Sequence, residues 1–183
     1  MNNHSLKISG AGWACLLALA LCSCAGASVH APLPRARKVD LARFMGPWRV
    51  IAAIPASIEK NAYDAVETYT MNSDGTIATI YTFREGAFDG KAKRYTPKGY
   101  VVDRTDNSTW GMRFVWPFKS EYLISYLDDS YSETIIARSK RDYVWIMARA
   151  PSIPDAEYER LVALVKEWGY DTTRLRKFPQ PAP

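Results

Sequence analysis

The 183-residue chain carries a net charge of +5, with 48% hydrophobic and 13% aromatic residues, enough for one domain with a real core. Lys and Arg are interspersed with Asp and Glu, so no basic stripe of the kind that binds nucleic acid is present. All three cysteines (Cys15, Cys22, Cys24) fall in the first 24 residues, and both histidines, His4 and His30, precede residue 39. From residue 39 onward the chain lacks the residues for a disulfide, a thiolate or imidazole metal site, or a Ser-His or Cys-His nucleophile. No metal and no cofactor is expected.

Residues 1–23 read as a secretory leader, with one cation at Lys7, an apolar run over 11–21 and then small residues. That run falls short of the ~20 residues that span a bilayer. Its end, "LCSC" at 21–24, resembles a bacterial lipobox in which Cys24 takes the lipid. Ala25, in place of an aspartate, resembles lipoproteins sorted onward to the outer membrane. Cleavage after Ala27, releasing a soluble protein, is the alternative. Residues 24–38, small, Pro-bearing and without a hydrophobic period, read as a flexible tether.

Residues 39–179 form the folded domain, with 180–183 as a tail. Strands are expected at "WRVIAAI" (48–54), "AVETYTM" (65–71), "IATIYTF" (77–83), 91–102, "WGMRFVW" (110–116), "YLISYL" (122–127), "ETIIAR" (133–138) and "YVWIMAR" (143–149). Turn signals separate them, among them "NSDGT" at 72–76 and "REGAFDG" at 84–90. Eight short strands with tight connections favour an antiparallel barrel or sandwich. One helix follows. Pro154 and Asp155 start it, Gly169 ends it, and Leu161, Leu164, Val165 and Trp168 form an apolar stripe that docks outside the sheet.

Three ordered stretches decide between barrel and sandwich: "DLARFMGPWRVIAAIP" with its Gly-x-Trp, "LDDSYSETIIARSKRDY", and "RDYVWIMAR" ending in Arg149. Together with "WPF", "SIPD" and "GYDTTRLRKF" they resemble the lipocalin family, in particular its bacterial outer-membrane lipoproteins. The resemblance implies an all-β fold: an eight-stranded antiparallel up-and-down barrel with a C-terminal helix packed on its outside. It also implies a closed floor, with Gly46, Trp48 and Arg149 as its signature residues and Asp142 and Tyr143 as a structural pair of the same set.

A floor implies a cup. With Trp48 as phase marker, alternation turns Val50, Ala52 and Ile54 inward from the first strand and Tyr69 and Met71 from the second. Ile77, Tyr81 and Phe83 follow, then Trp110, Met112 and Phe114, then Tyr122 and Tyr126, and finally Trp145 and Met147. Such a lining suits a small hydrophobic ligand, a fatty acid or lysophospholipid, bound, carried or stored by an outer-membrane-anchored, periplasm-facing protein. The membrane is met through the lipid anchor, no nucleic-acid partner is expected, and a homodimer stays open. Two other classes compete with this binding reading. An enzyme would have to use carboxylates such as Glu67 or Asp103, and a structural envelope lipoprotein would have a filled barrel.

Overall fold

The computed structural model describes residues 30–182, so the expected leader and the lipidation site Cys24 lie outside the described residues. The chain enters the barrel through one helical turn, α1 (Leu41–Phe44). Asp40 starts it, its Oδ1 accepting from the amides of Ala42 and Arg43 at 2.9 and 3.2 Å. The strands follow as β1 (Gly46–Ile54), β2 (Ala62–Met71), β3 (Ile77–Glu85), β4 (Lys91–Tyr95), β5 (Lys98–Asp103), β6 (Thr109–Val115), β7 (Phe118–Leu127), β8 (Glu133–Ala137) and β9 (Val144–Ala148). Each pairs antiparallel with its neighbour, and β9 returns to pair with β1, closing the sheet. The barrel has eight staves because β4 and β5 are halves of one strand, both pairing with β3. Thr96 and Pro97 interrupt it, and a proline has no amide proton to give to a ladder.

After β9 comes the helix α2 (Asp155–Glu167), then a short strand β10 (Arg176–Lys177). Leu161 and Val165 of α2 are fully buried on the outside of the barrel, against Ile51, Ile135, Val144 and Ile146. β10 pairs with β1 at Ala52 and Ala53. Beyond it, the Gln180 amide donates to the carbonyls of Val50 and Ala65, so this residue of the expected tail bridges β1 and β2.

Residues 30–38, expected to be flexible tether, are instead held along the barrel wall. The Arg141 guanidinium donates to Ala31 O, the Ala36 amide donates to Ile124 O at 2.8 Å, and Arg35 pairs with Asp103 at 2.9 Å. Leu33 is buried in the helix-side cluster. This strap begins at the end of the barrel that carries the β8–β9 turn and finishes at the opposite, closed end, where the Val39 amide reaches Asp106 O.

The closed end is built around Arg149. Its guanidinium lies 3.8 Å from the Trp48 ring centroid and donates to the carbonyls of Pro47, Arg43, Phe44 and Met45 at 2.7–3.0 Å. Trp48 Nε1 in turn donates to Phe44 O at 2.8 Å. Gly46 turns the chain with φ +92°, and a Cβ there would come within 3.4 Å of the guanidinium. Lysine is a point charge and cannot serve four carbonyls. Replacing Arg149 by Lys is therefore expected to cost about 2–4 kcal/mol in urea unfolding, whereas Arg49→Lys, which gives up a half-exposed pair with Asp64, should cost under about 1 kcal/mol.

Candidate functional site

Two sets of inward side chains divide the barrel. In the closed half, Phe44, Trp48, Tyr69 and Trp110 meet at ring distances of 5.0–5.6 Å, and Val50, Ile77 and Met147 fill the remaining space without exposure. In the open half a cavity of about 220 Å³ remains. Its aromatic wall is Tyr81, Tyr122, Tyr143 and Trp145, with Met112, Ile136 and Phe114 between them and Ala56 and Ile58 at the rim. Tyr122 joins the halves. It stacks on Trp110 at 5.4 Å, and its hydroxyl is hydrogen-bonded to that of Tyr69.

Of the residues expected to face a ligand, Tyr81, Met112, Phe114, Tyr122 and Trp145 line this cavity. Val50, Tyr69, Ile77, Phe83, Trp110 and Met147 point inward but belong to the packed core. Ile54 and Ala52 do not point inward. A β-bulge between Val50 and Ala52 places Ile51 as an extra residue and reverses the alternation, so both pack under the helix, and Ala53 faces inward instead. A second bulge, between Ile124 and Tyr126, turns Tyr126 outward in the same way. Met71 is exposed at the closed end of the barrel.

Asp142 and Tyr143 are not floor residues. They stand at the β8–β9 turn, and the five residues of β9 separate them from Arg149, a length of ~16 Å at the usual strand rise. Tyr143 lines the open cavity, its ring 4.6 Å from that of Trp145, while Asp142 pairs with Arg138 at 3.3 Å. Asp103 lies outside the barrel at the closed end, bonded to Arg35 and Thr105. It shares no site with Glu67.

Glu67 sits between Trp48 and Tyr81 in the ladder, at the boundary of core and cavity, with 1% exposure. Burial pushes its carboxyl up to about 8, and the charge of Glu59 adds to the shift. Glu59, equally buried, comes from the turn between β1 and β2 and accepts from the Ala56 amide at 3.0 Å. Burial raises its pKa as well. Glu67 Oε2 makes no hydrogen bond within the protein, and the Tyr81 hydroxyl and Trp145 Nε1 face the Glu59 carboxyl without closing a well-formed hydrogen bond to it. The cavity therefore offers an apolar slot with a few buried polar atoms ready for a ligand's polar group. Glu59, Ile136, Ser120, Glu121 and Arg138 were not foreseen as lining residues. Ile136 follows from alternation along β8, but no pattern marks a lone glutamate in a loop as buried.

These features define a class, the barrel closed at one end and hollow at the other. Residues 39–180 match the family described as a lipocalin-like domain, and the chain belongs to that family. It is 31% identical over 154 residues to temperature-induced lipocalin-1 of Arabidopsis thaliana, covering 78% of this chain and 80% of the plant protein. Against the outer membrane lipoprotein Blc of Escherichia coli (strain K12) it is 26% identical over 145 residues, covering 78% and 80%. Lobster apocrustacyanin A1 has the same fold, with a TM-score of 0.61 at 15% identity over 82% of this chain and 91% of the other.

Glu67 should leave its mark on stability. A carboxyl raised from 4.5 to about 8 by folding favours the native state fully below about pH 4.5, and this contribution is lost as pH rises through about 8. The unfolding free energy of the wild type relative to Glu67→Gln should thus fall by on the order of a few kcal/mol between about pH 4 and about pH 9. Parallel urea-unfolding curves for the two proteins across that range check it, and a constant difference would contradict it.

Proposed function

We propose that this lipocalin binds fatty acids or lysophospholipids in the open half of its barrel and carries or stores them while anchored at the outer membrane through Cys24, facing the periplasm. The observation that carries the reading is the 220 Å³ apolar cavity, open at one end and walled by aromatic rings. It exceeds the ~150 Å³ engineered hole that admits benzene. Each methylene withdrawn from water contributes ~0.8 kcal/mol, so an acyl segment gains affinity without specific contacts. The packed closed half limits depth. A ligand seats a terminal stretch of chain, and its polar group meets the buried hydroxyls and carboxyls or stays at the mouth. The relatives named outer membrane lipoprotein support the location, and "LCSC" at 21–24 supports the anchor.

Binding, not turnover, is the function read here. An enzyme would have to use a carboxylate such as Glu67 or Asp103; Glu67 borders the cavity, while Asp103 lies outside the barrel, away from any ligand held there. Native mass spectrometry of protein released from its membrane should show a population heavier by one acyl ligand. Titration with hexadecanoate or a lysophospholipid should shift tryptophan emission, since Trp145 lines the cavity. Met112→Trp, which fills the slot, should weaken that binding about tenfold or more, a loss of ~1.4 kcal/mol. Unchanged mass and unchanged emission with every acyl ligand would contradict the proposal.

A further inference from the structure

The open end of the barrel is apolar on its outer surface as well as within. Among the described residues eight large hydrophobic side chains are exposed, and six of them (Ile58, Phe88, Phe114, Val115, Trp116 and Phe118) stand at the open end, on the β1–β2 and β3–β4 connections and the tip of the β6–β7 hairpin. The β6–β7 hairpin forms the tip, with Val115 at 68%, Trp116 at 78% and Phe118 at 76% exposure. Val115 and Phe118 pair directly, so the turn is tight and holds its apolar residues together at the tip. Such a cluster costs free energy in water and marks an interaction surface.

The charges around it favour one partner. Exposed Lys60, Lys91 and Lys140 stand on the three other turns at this end, none in an ion pair among the described residues, and Lys119 follows the tip. The acidic groups nearby are mostly occupied: Glu85 pairs with Lys93, Asp142 with Arg138, and Glu121 accepts from Ser139. Asp89 and, at the end of the helix, Glu167 are the exceptions. Tryptophan and phenylalanine ringed by lysines match the interface of a bilayer that carries anionic lipid.

The path of the chain gives a second, independent observation. The strap of residues 30–38 starts at the open end, where Ala31 O accepts from Arg141 and His30 lies against Gly169 beyond the helix. The short stretch 24–29 that would link a lipid on Cys24 to the strap therefore joins the domain on the mouth side and not at the floor.

We infer that the protein docks mouth-down on an anionic membrane, seating Val115, Trp116 and Phe118 in the interface so that the cavity opens onto the lipid. The inference deepens the proposed function by stating how lipid reaches the cup, yet the two can be tested apart: Ile58 and Phe114 belong to both the mouth patch and the cavity, whereas Phe88, Val115, Trp116 and Phe118 line no part of the cavity.

The test is hydroxyl-radical footprinting of the full chain, read by mass spectrometry, free and on phosphatidylethanolamine–phosphatidylglycerol vesicles. Vesicles should abolish labelling of Trp116, Phe118 and Phe88 and leave Met71 and Val102, exposed at the closed end, labelled as before. High salt or pure phosphatidylcholine vesicles should restore much of the mouth labelling. In Trp116→Ser/Phe118→Ser, Phe88 should stay labelled on vesicles while hexadecanoate still shifts the emission of Trp145. Unchanged labelling at the mouth, loss at Met71 and Val102 instead, or protection of Phe88 surviving the double substitution would each overturn docking. So would protection without vesicles in a sample of doubled mass, which would assign the surface to a second copy. Loss of hexadecanoate binding in a wild-type protein that still docks would count against the cup alone.

Discussion

One guanidinium organises the closed end of this barrel. A single helical turn such as α1 leaves its last carbonyls without intrahelical partners, and a buried carbonyl without a partner is costly. Arg149 reaches those carbonyls from the last strand, adds that of Pro47, and covers the face of Trp48. Its charge also suits the C-terminal end of the turn. First and last strands are thus joined through side chain as well as through their ladder. Trp48 is fixed at the floor, and Phe44, Tyr69 and Trp110 pack against it. The hollow half begins where this aromatic packing stops, at Glu67.

The staves were legible in the sequence because each rests on a local signal, and the floor was legible through the family resemblance, which ties Gly46 and Trp48 to the distant Arg149. Gly46 before Trp48, the alternation within each strand, the turn at 72–76 and the stripe of α2 all act over a few residues. What was lost is positional phase. A bulge needs only one extra residue, and Ile51 looks like any other apolar residue of its strand, yet it reverses everything beyond it and carries Ile54 from cavity to helix interface. Depth was equally hidden. Val50, Tyr69, Ile77, Trp110 and Met147 were rightly turned inward, but the line between packed core and open slot depends on how large rings from several strands meet. Asp142 and Tyr143 were misplaced for a third reason. A signature that is contiguous in sequence spans a whole strand and so reaches both ends of the barrel.

The cavity shows what the filled half permits. The buried Glu67 carboxyl and the Tyr81 and Trp145 donors oppose folding, because each has been taken from water without full replacement of its hydrogen bonds, and Glu59 adds a second buried carboxyl. They are tolerated at the upper end since the lower end, sealed by aromatic packing and the Arg149 network, holds the fold together. Neutral carboxyls are also less costly than charged ones, and burial moves Glu59 and Glu67 in that direction. A polar group arriving on a ligand would relieve part of this cost, so the same atoms that weaken the empty protein favour the occupied one.

The same division of labour explains the surface. Exposed Trp116 and Phe118 contribute nothing to the core, and the hairpin tip that carries them stands at the end of the barrel opposite the floor, so the sequence of the tip is free to answer to a partner rather than to folding. The strap of residues 30–38 runs the other way, tying the mouth side to the floor through Ala36 and Val39. A pull on the preceding chain meets the Arg141–Ala31 hydrogen bond at the β8–β9 turn and is then shared along the barrel wall through Leu33, Arg35 and Ala36 toward the floor. A cup that must open toward an apolar phase without unfolding there needs this arrangement, with cohesion concentrated at the base and its unfavourable groups gathered at the mouth.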